Sequence, residues 1–193
     1  MSGRDGVARR TDVLVVAATR AEAARVPTRF PLLVTGIGKV PAAAAVATVL
    51  ARHEDPGSVH VVNVGTAGAL RDGVTGLHLP GVVLNHDISA AALRALAHDP
   101  QERLELGTGD PGTVLASGDV FVTDPVVRER LAVDAPLVDM EGYAVAWAAR
   151  AAGAHVTLVK HVSDNADDSA WDWPSQVAAS AAVLGEWLET HLG

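Results

Sequence analysis

The sequence has no cysteine, so disulfides and thiolate metal centres are excluded. Aromatic residues are scarce, with two Phe and one Tyr in 193 residues. Basic side chains never run beyond the pair Arg9 and Arg10, and the net charge is −8. The positive stripe of a nucleic-acid groove is therefore missing. No apolar run approaches the ~20 residues that a membrane-spanning helix needs. Near the start, Arg4, Asp5, Arg9 and Arg10 break up what would be the apolar core of a secretory signal. The chain is expected to be cytoplasmic, with no nucleic-acid or membrane partner. Eight histidines show neither HxH nor HExxH spacing, so no metal and no cofactor are expected.

What is present is apolar content at 49%, carried largely by Ala and Val, enough for a sizeable core packed from small side chains. Residues 1–10 read as a loose tail, and 11–193 as a single domain. Strands are predicted at Val13–Ala17, Leu32–Thr35, Val59–Val64, Val82–Leu84, Thr113–Ala116, Leu137–Val138 and Val156–Val162. Helices are predicted at Pro41–His53, at Pro125–Leu131 with Asp124 as cap, and from about Glu141 to Ala152. A closing helix from Trp173 places Val177, Ala181, Leu184 and Leu188 on one face. This alternation predicts an α/β fold, a three-layer α/β/α sandwich round a mostly parallel twisted sheet. Right-handed crossovers would gather the strand ends on one edge, where open α/β sheets bind ligands.

Four strand exits carry residues that could do chemistry. Thr35–Lys39 (Thr-Gly-Ile-Gly-Lys) leads straight into a helix, so its N–H groups could face a ligand oxygen; a plain tight turn reads the same. In Gly65–Gly68 a threonine sits between glycines, suited to a sugar, a phosphate or its own backbone. Asp139–Gly142 (Asp-Met-Glu-Gly) sets Glu141 between a buried strand and an Ala-rich helix. There it either caps the helix or grips two vicinal hydroxyls. Asp164 follows an apolar strand and Ser163, a partly desolvated place where a carboxyl could act as general acid. His86 and Asp87 could form a site pair but read rather as a polar turn, and Trp171 and Trp173 could form a lid but read rather as caps on the core.

Gly36–Lys39, Gly65–Ala69, Ser117–Phe121 (Ser-Gly-Asp-Val-Phe), Asp139–Gly142 and Ser163–Asp164 occur in the order and rough spacing of the nucleoside phosphorylase and nucleosidase superfamily. Each motif is soft alone, but five in register are specific. The chain most resembles the methylthioadenosine/S-adenosylhomocysteine nucleosidase branch. That resemblance implies hydrolysis of the N-glycosidic bond of a purine nucleoside or thionucleoside, a small-molecule substrate, and a homodimer.

It also implies roles. Met140 would pack on the ribose and Glu141 would hold its 2′- and 3′-hydroxyls. Asp164, after Ser163, would give a proton to purine N7. Phe121 would stack near the base, and backbone groups of Phe121 and Val122 would read its edge. Thr66, in the turn closed by Gly68, would stand near the nucleophile. The water needs a base, and nucleosidases carry a run of glutamates after the first strand. Here that stretch is Thr19–Glu22, where ungapped alignment puts Ala21 at the usual position; Glu22 is assigned as the base. Arg20 keeps phosphorolysis open, because phosphorylases bind phosphate with arginines; their second arginine is replaced here by Asn63. A nucleoside-binding module without turnover is a third reading. The stretches 25–32 and 87–110 are short for the family.

Overall fold

The computed structural model describes residues 12–192; the predicted N-terminal tail lies outside the described residues. The strands are β1 (Asp12–Ala17), β2 (Leu32–Val34), β3 (Val59–Ala69), β4 (Leu77–His78), β5 (Pro80–Asn85), β6 (Arg103–Glu105), β7 (Asp110–Ser117), β8 (Leu137–Asp139) and β9 (His155–Asp164). The helices are α1 (Lys39–Leu50), α2 (Ala90–Ala95), α3 (Pro125–Ala132), α4 (Gly142–Ala151) and α5 (Trp173–Leu192). All strands join one sheet in the order β2-β1-β3-β8-β7-β5-β6, with β9 beside β3 and β4 beside β9.

The sheet is buried on both faces, which is why its strands read as unbroken apolar runs. Successive residues alternate between two cores. Leu14, Val16, Val59 and Val61 pack in one with Ala42, Val46 and Leu50 of α1 and much of α4. Val15, Ala17, Val62 and Val64 pack in the other with Leu184 and Leu188 of α5. Leu131 of α3 joins Leu70, Ala116 and Val138 in a third cluster at the far end. Asp124 caps α3 as predicted, accepting a hydrogen bond from Val126 N at 2.8 Å ahead of Pro125.

Two expectations are corrected. The strand at Val59 does not stop at Val64: β3 runs on through the small residues Gly65–Ala69, close enough to pair with β9 on one side and β8 on the other. The strand ends also do not share one edge. β1, β2, β3 and β9 form one parallel block, and β5, β7 and β8 form another, but β8 meets β3 antiparallel at Gly68–Val138 and Ala69–Leu137. The chain exits therefore converge on a seam inside the sheet. There β9 carries an extra residue, because Ala67 pairs with Val162 and Gly68 with Asp164, leaving Ser163 bulged out.

Candidate active site

A cavity of about 300 Å³ opens at that seam, at the small end of the range for small-molecule sites. Every site residue expected from the sequence lines it: Glu22, Thr66, Gly68, Phe121, Val122, Met140, Glu141, Ser163 and Asp164. The carboxylates of Glu141 and Asp164 thus face a common space.

Glu22 opens a 3-10 turn just beyond β1, and only 5% of it is exposed. Ala21 and Arg20 face outward, so Glu22 alone of that pair and itself reaches the cavity. Thr19 and Glu22 form a reciprocal box: Glu22 N donates to Thr19 Oγ1 at 3.2 Å, and Thr19 N donates to Glu22 Oε2 at 3.1 Å. The Thr19 hydroxyl adds a second bond to Oε2 at 3.0 Å. The other oxygen, Oε1, accepts from both the amide and the hydroxyl of Thr66, each at 2.9 Å. Two fixed amides and two rotatable hydroxyls therefore hold the carboxylate.

Glu141 stands at the N-terminus of α4, yet its side chain does not cap that helix. Asp139 does, accepting from Gly142 N at 2.9 Å. Glu141 Oε1 instead accepts from Gly38 N at 2.7 Å, while Lys39 N donates to Asp119 Oδ1 at 2.7 Å. Gly36 and Gly38 have φ of 89° and 99°, the left-handed backbone that lets the turn present these amides. The N–H groups at the start of α1, which could have faced a ligand oxygen or simply formed a tight turn, are thus taken by protein carboxylates. Burial pushes the Glu141 carboxyl up to about 7; Asp139 and Glu22 push the same way, and the Gly38 amide and Lys160 oppose them.

Lys160 lies in mid-β9 and is 2% exposed, held to Asp139 Oδ2 at 2.8 Å. Burial alone would push the ammonium down, but Asp139, Glu141 and Glu22 outweigh it and push it up. The Ser117 hydroxyl donates to the other oxygen of Asp139 and accepts from Tyr143 N at 2.9 Å. Sequence reasoning missed this supporting cluster. Its signal was a lysine inside an apolar strand together with an acid two residues before Glu141.

Asp164 ends β9. Its Oδ2 accepts from the Ser163 hydroxyl at 2.7 Å and its Oδ1 from Ala166 N at 2.9 Å. Opposite it, a Cβ on Gly68 would come within 3.0 Å of Asp164 Oδ1 and of Ala166 Cβ. Only glycine lets the two strands carry this carboxylate so close. Met140, Phe121 and Val122 supply apolar wall.

Trp171 and Trp173 correct another expectation: they line the cavity and do not cap the core. Trp171 is 69% exposed and meets Phe121 edge-on at the mouth, with ring centroids 5.6 Å apart. His86 and Asp87 stand outside the lining; Asp87 pairs with Lys39 and accepts from Asp119 N at 2.8 Å. Among the described residues no group of three His, Asp or Glu is placed to hold a metal ion, and no helix is long and apolar enough to cross a membrane.

The profile of the phosphorylase superfamily matches residues 75–189. The chain belongs to that superfamily. No curated protein matches it by sequence. Among solved structures, this superfamily member is similar to the Helicobacter pylori 5′-methylthioadenosine/S-adenosylhomocysteine nucleosidase, at 20% identity and a TM-score of 0.77, covering 94% of this chain and 97% of that one. It is similar to futalosine hydrolase of the same organism at 21% identity and a TM-score of 0.76, covering 93% and 96%. The Streptococcus pneumoniae 5′-methylthioadenosine/S-adenosylhomocysteine nucleosidase gives 23% identity and a TM-score of 0.72, covering 91% and 97%. At these identities the likeness establishes the shared fold.

Proposed function

We propose that the chain is a nucleosidase that hydrolyses the N-glycosidic bond of a purine nucleoside or 5′-thionucleoside, of which methylthioadenosine and S-adenosylhomocysteine are the leading candidates. The observation that carries this reading is the meeting of Glu22, Glu141 and Asp164 round one apolar-walled cavity.

Glycosidic cleavage builds positive charge on the sugar and negative charge on the departing base. Asp164 gives its proton to purine N7 and so neutralises the leaving group. Glu141 accepts from the 2′- and 3′-hydroxyls of the ribose, fixing the ring and setting negative charge beside the developing cation. Met140 packs against the sugar, while Phe121 and Val122 face the base. Glu22 takes the proton of the attacking water, which reaches it by displacing one hydroxyl donor.

Hydrolysis is favoured over phosphorolysis by charge. Glu22, Asp139, Glu141 and Asp164 line the cavity, and among the described lining residues none is Lys, Arg or His. Arg20 faces solvent, and the start of α1 is already occupied by Glu141 and Asp119. A phosphate would enter an acidic site with no cation to meet it. The test is release of free adenine from methylthioadenosine in phosphate-free buffer. Strict dependence on phosphate would overturn hydrolysis, and saturable binding without turnover would leave a binding module.

A further inference from the structure

We infer that Trp173 is a positioning residue, one that acts on Glu22 through the hydroxyl of Thr66. This rests on the nucleosidase reading, but it adds a residue and a linkage to it. Trp173 opens α5, and its indole Nε1 donates to Thr66 Oγ1 at 2.9 Å. The same hydroxyl donates to Glu22 Oε1 at 2.9 Å.

A threonine hydroxyl has one proton and two lone pairs. With Trp173 filling one lone pair and Glu22 taking the proton, the hydroxyl cannot spin, and its remaining lone pair has a set direction. It can then accept a hydrogen bond from the same water that Glu22 deprotonates. Donation by the indole also polarises the threonine O–H toward Glu22, since linked hydrogen bonds strengthen one another. Phenylalanine would fill much of the same space but could not donate.

The test combines W173F, T66V and the double variant, with methylthioadenosine as substrate. Losing one neutral hydrogen bond predicts that W173F lowers kcat about three- to tenfold while KM stays within about twofold. Because Trp173 acts through Thr66, the double variant should be no slower than T66V alone. T66S, which keeps the hydroxyl, should recover most of the kcat that T66V loses. An unchanged kcat in W173F, a loss mainly in KM, or a double-variant loss equal to the product of the single losses would each overturn the linkage.

A second measurement does not depend on turnover. The chain has four tryptophans, and one of their indole N–H resonances should move in T66V and hold its place in T66S. If all four stay unmoved in T66V, the linkage is absent even in an active enzyme. If the wild type releases no base while one resonance moves, the nucleosidase reading fails and the linkage stands.

Discussion

Glu141 is 8% exposed, and burial pushes its carboxyl up to about 7, so the ionised form is carried at a cost. A carboxyl raised from 4.5 to about 7 on folding adds stability that is full at acid pH and lost as pH rises through 7. The penalty for the ionised form is on the order of 3–4 kcal/mol, since a tenfold change in proton affinity corresponds to about 1.4 kcal/mol. The expected outcome is that Glu141→Gln flattens the fall in thermal midpoint between pH 5 and 8 while weakening substrate binding. Lys160 has the opposite character. Its ammonium is locked to Asp139 in a setting where neither charge reaches water. Lys160→Met should cost about 3–5 kcal/mol in urea unfolding, because the Asp139 charge would lose its buried counter-ion. At the proposed reacting centre, Asp164→Asn should lower base release by about 10²–10⁴-fold with the fold intact, checked by circular dichroism and steady-state rates.

Among the elements, α5 and the turn that carries Glu22 depend on a single missing side chain. A Cβ on Gly185 would lie 2.4 Å from the carbonyl oxygen of Arg25, so the helix can lie against that turn only with glycine there. Gly185→Ala should destabilise the protein by about 1–3 kcal/mol and lower turnover together, read by thermal unfolding and kcat. Much at this scale was legible in advance. Strands and helices with one long apolar stripe declared themselves, and Val177, Ala181, Leu184 and Leu188 of α5 are all buried. What escaped was the course of β3 through Gly65–Ala69, because glycine and alanine carry no strand signal of their own and pair here only since β8 and β9 flank them. α2 and β6 were missed as well. Both are short and contribute little to the core: α2 has no buried residue, and β6 buries only Leu104. The motifs pointed to residues that meet round one cavity, Glu22, Glu141 and Asp164 among them. The Lys160 pairing and the Trp173 bond were not legible, since they join positions 21 and 107 residues apart.

Across the whole molecule, a seam joins two parallel blocks through the short antiparallel contact of β3 with β8, and the cavity lies on it. Its acidic lining belongs to a chain of net charge −8, so the near and far fields have one sign. An anionic substrate should fare badly. Base release from a nucleoside 5′-monophosphate should have a kcat/KM at least about 100-fold below that of the parent nucleoside, because like charges brought together cost several kcal/mol. Comparable rates for the two would contradict this picture.

The occupied start of α1 limits what this scaffold could become. Gly38 N and Lys39 N hand their bonds to Glu141 and Asp119, so a cation introduced at the cavity wall would find no free backbone cradle to help it grip an oxyanion. Clearing that cradle means removing Asp119 and releasing Glu141, which takes away the proposed handle on the ribose. A change of nucleophile from water to phosphate is thus coupled to sugar recognition, and no single substitution along that route leaves both intact.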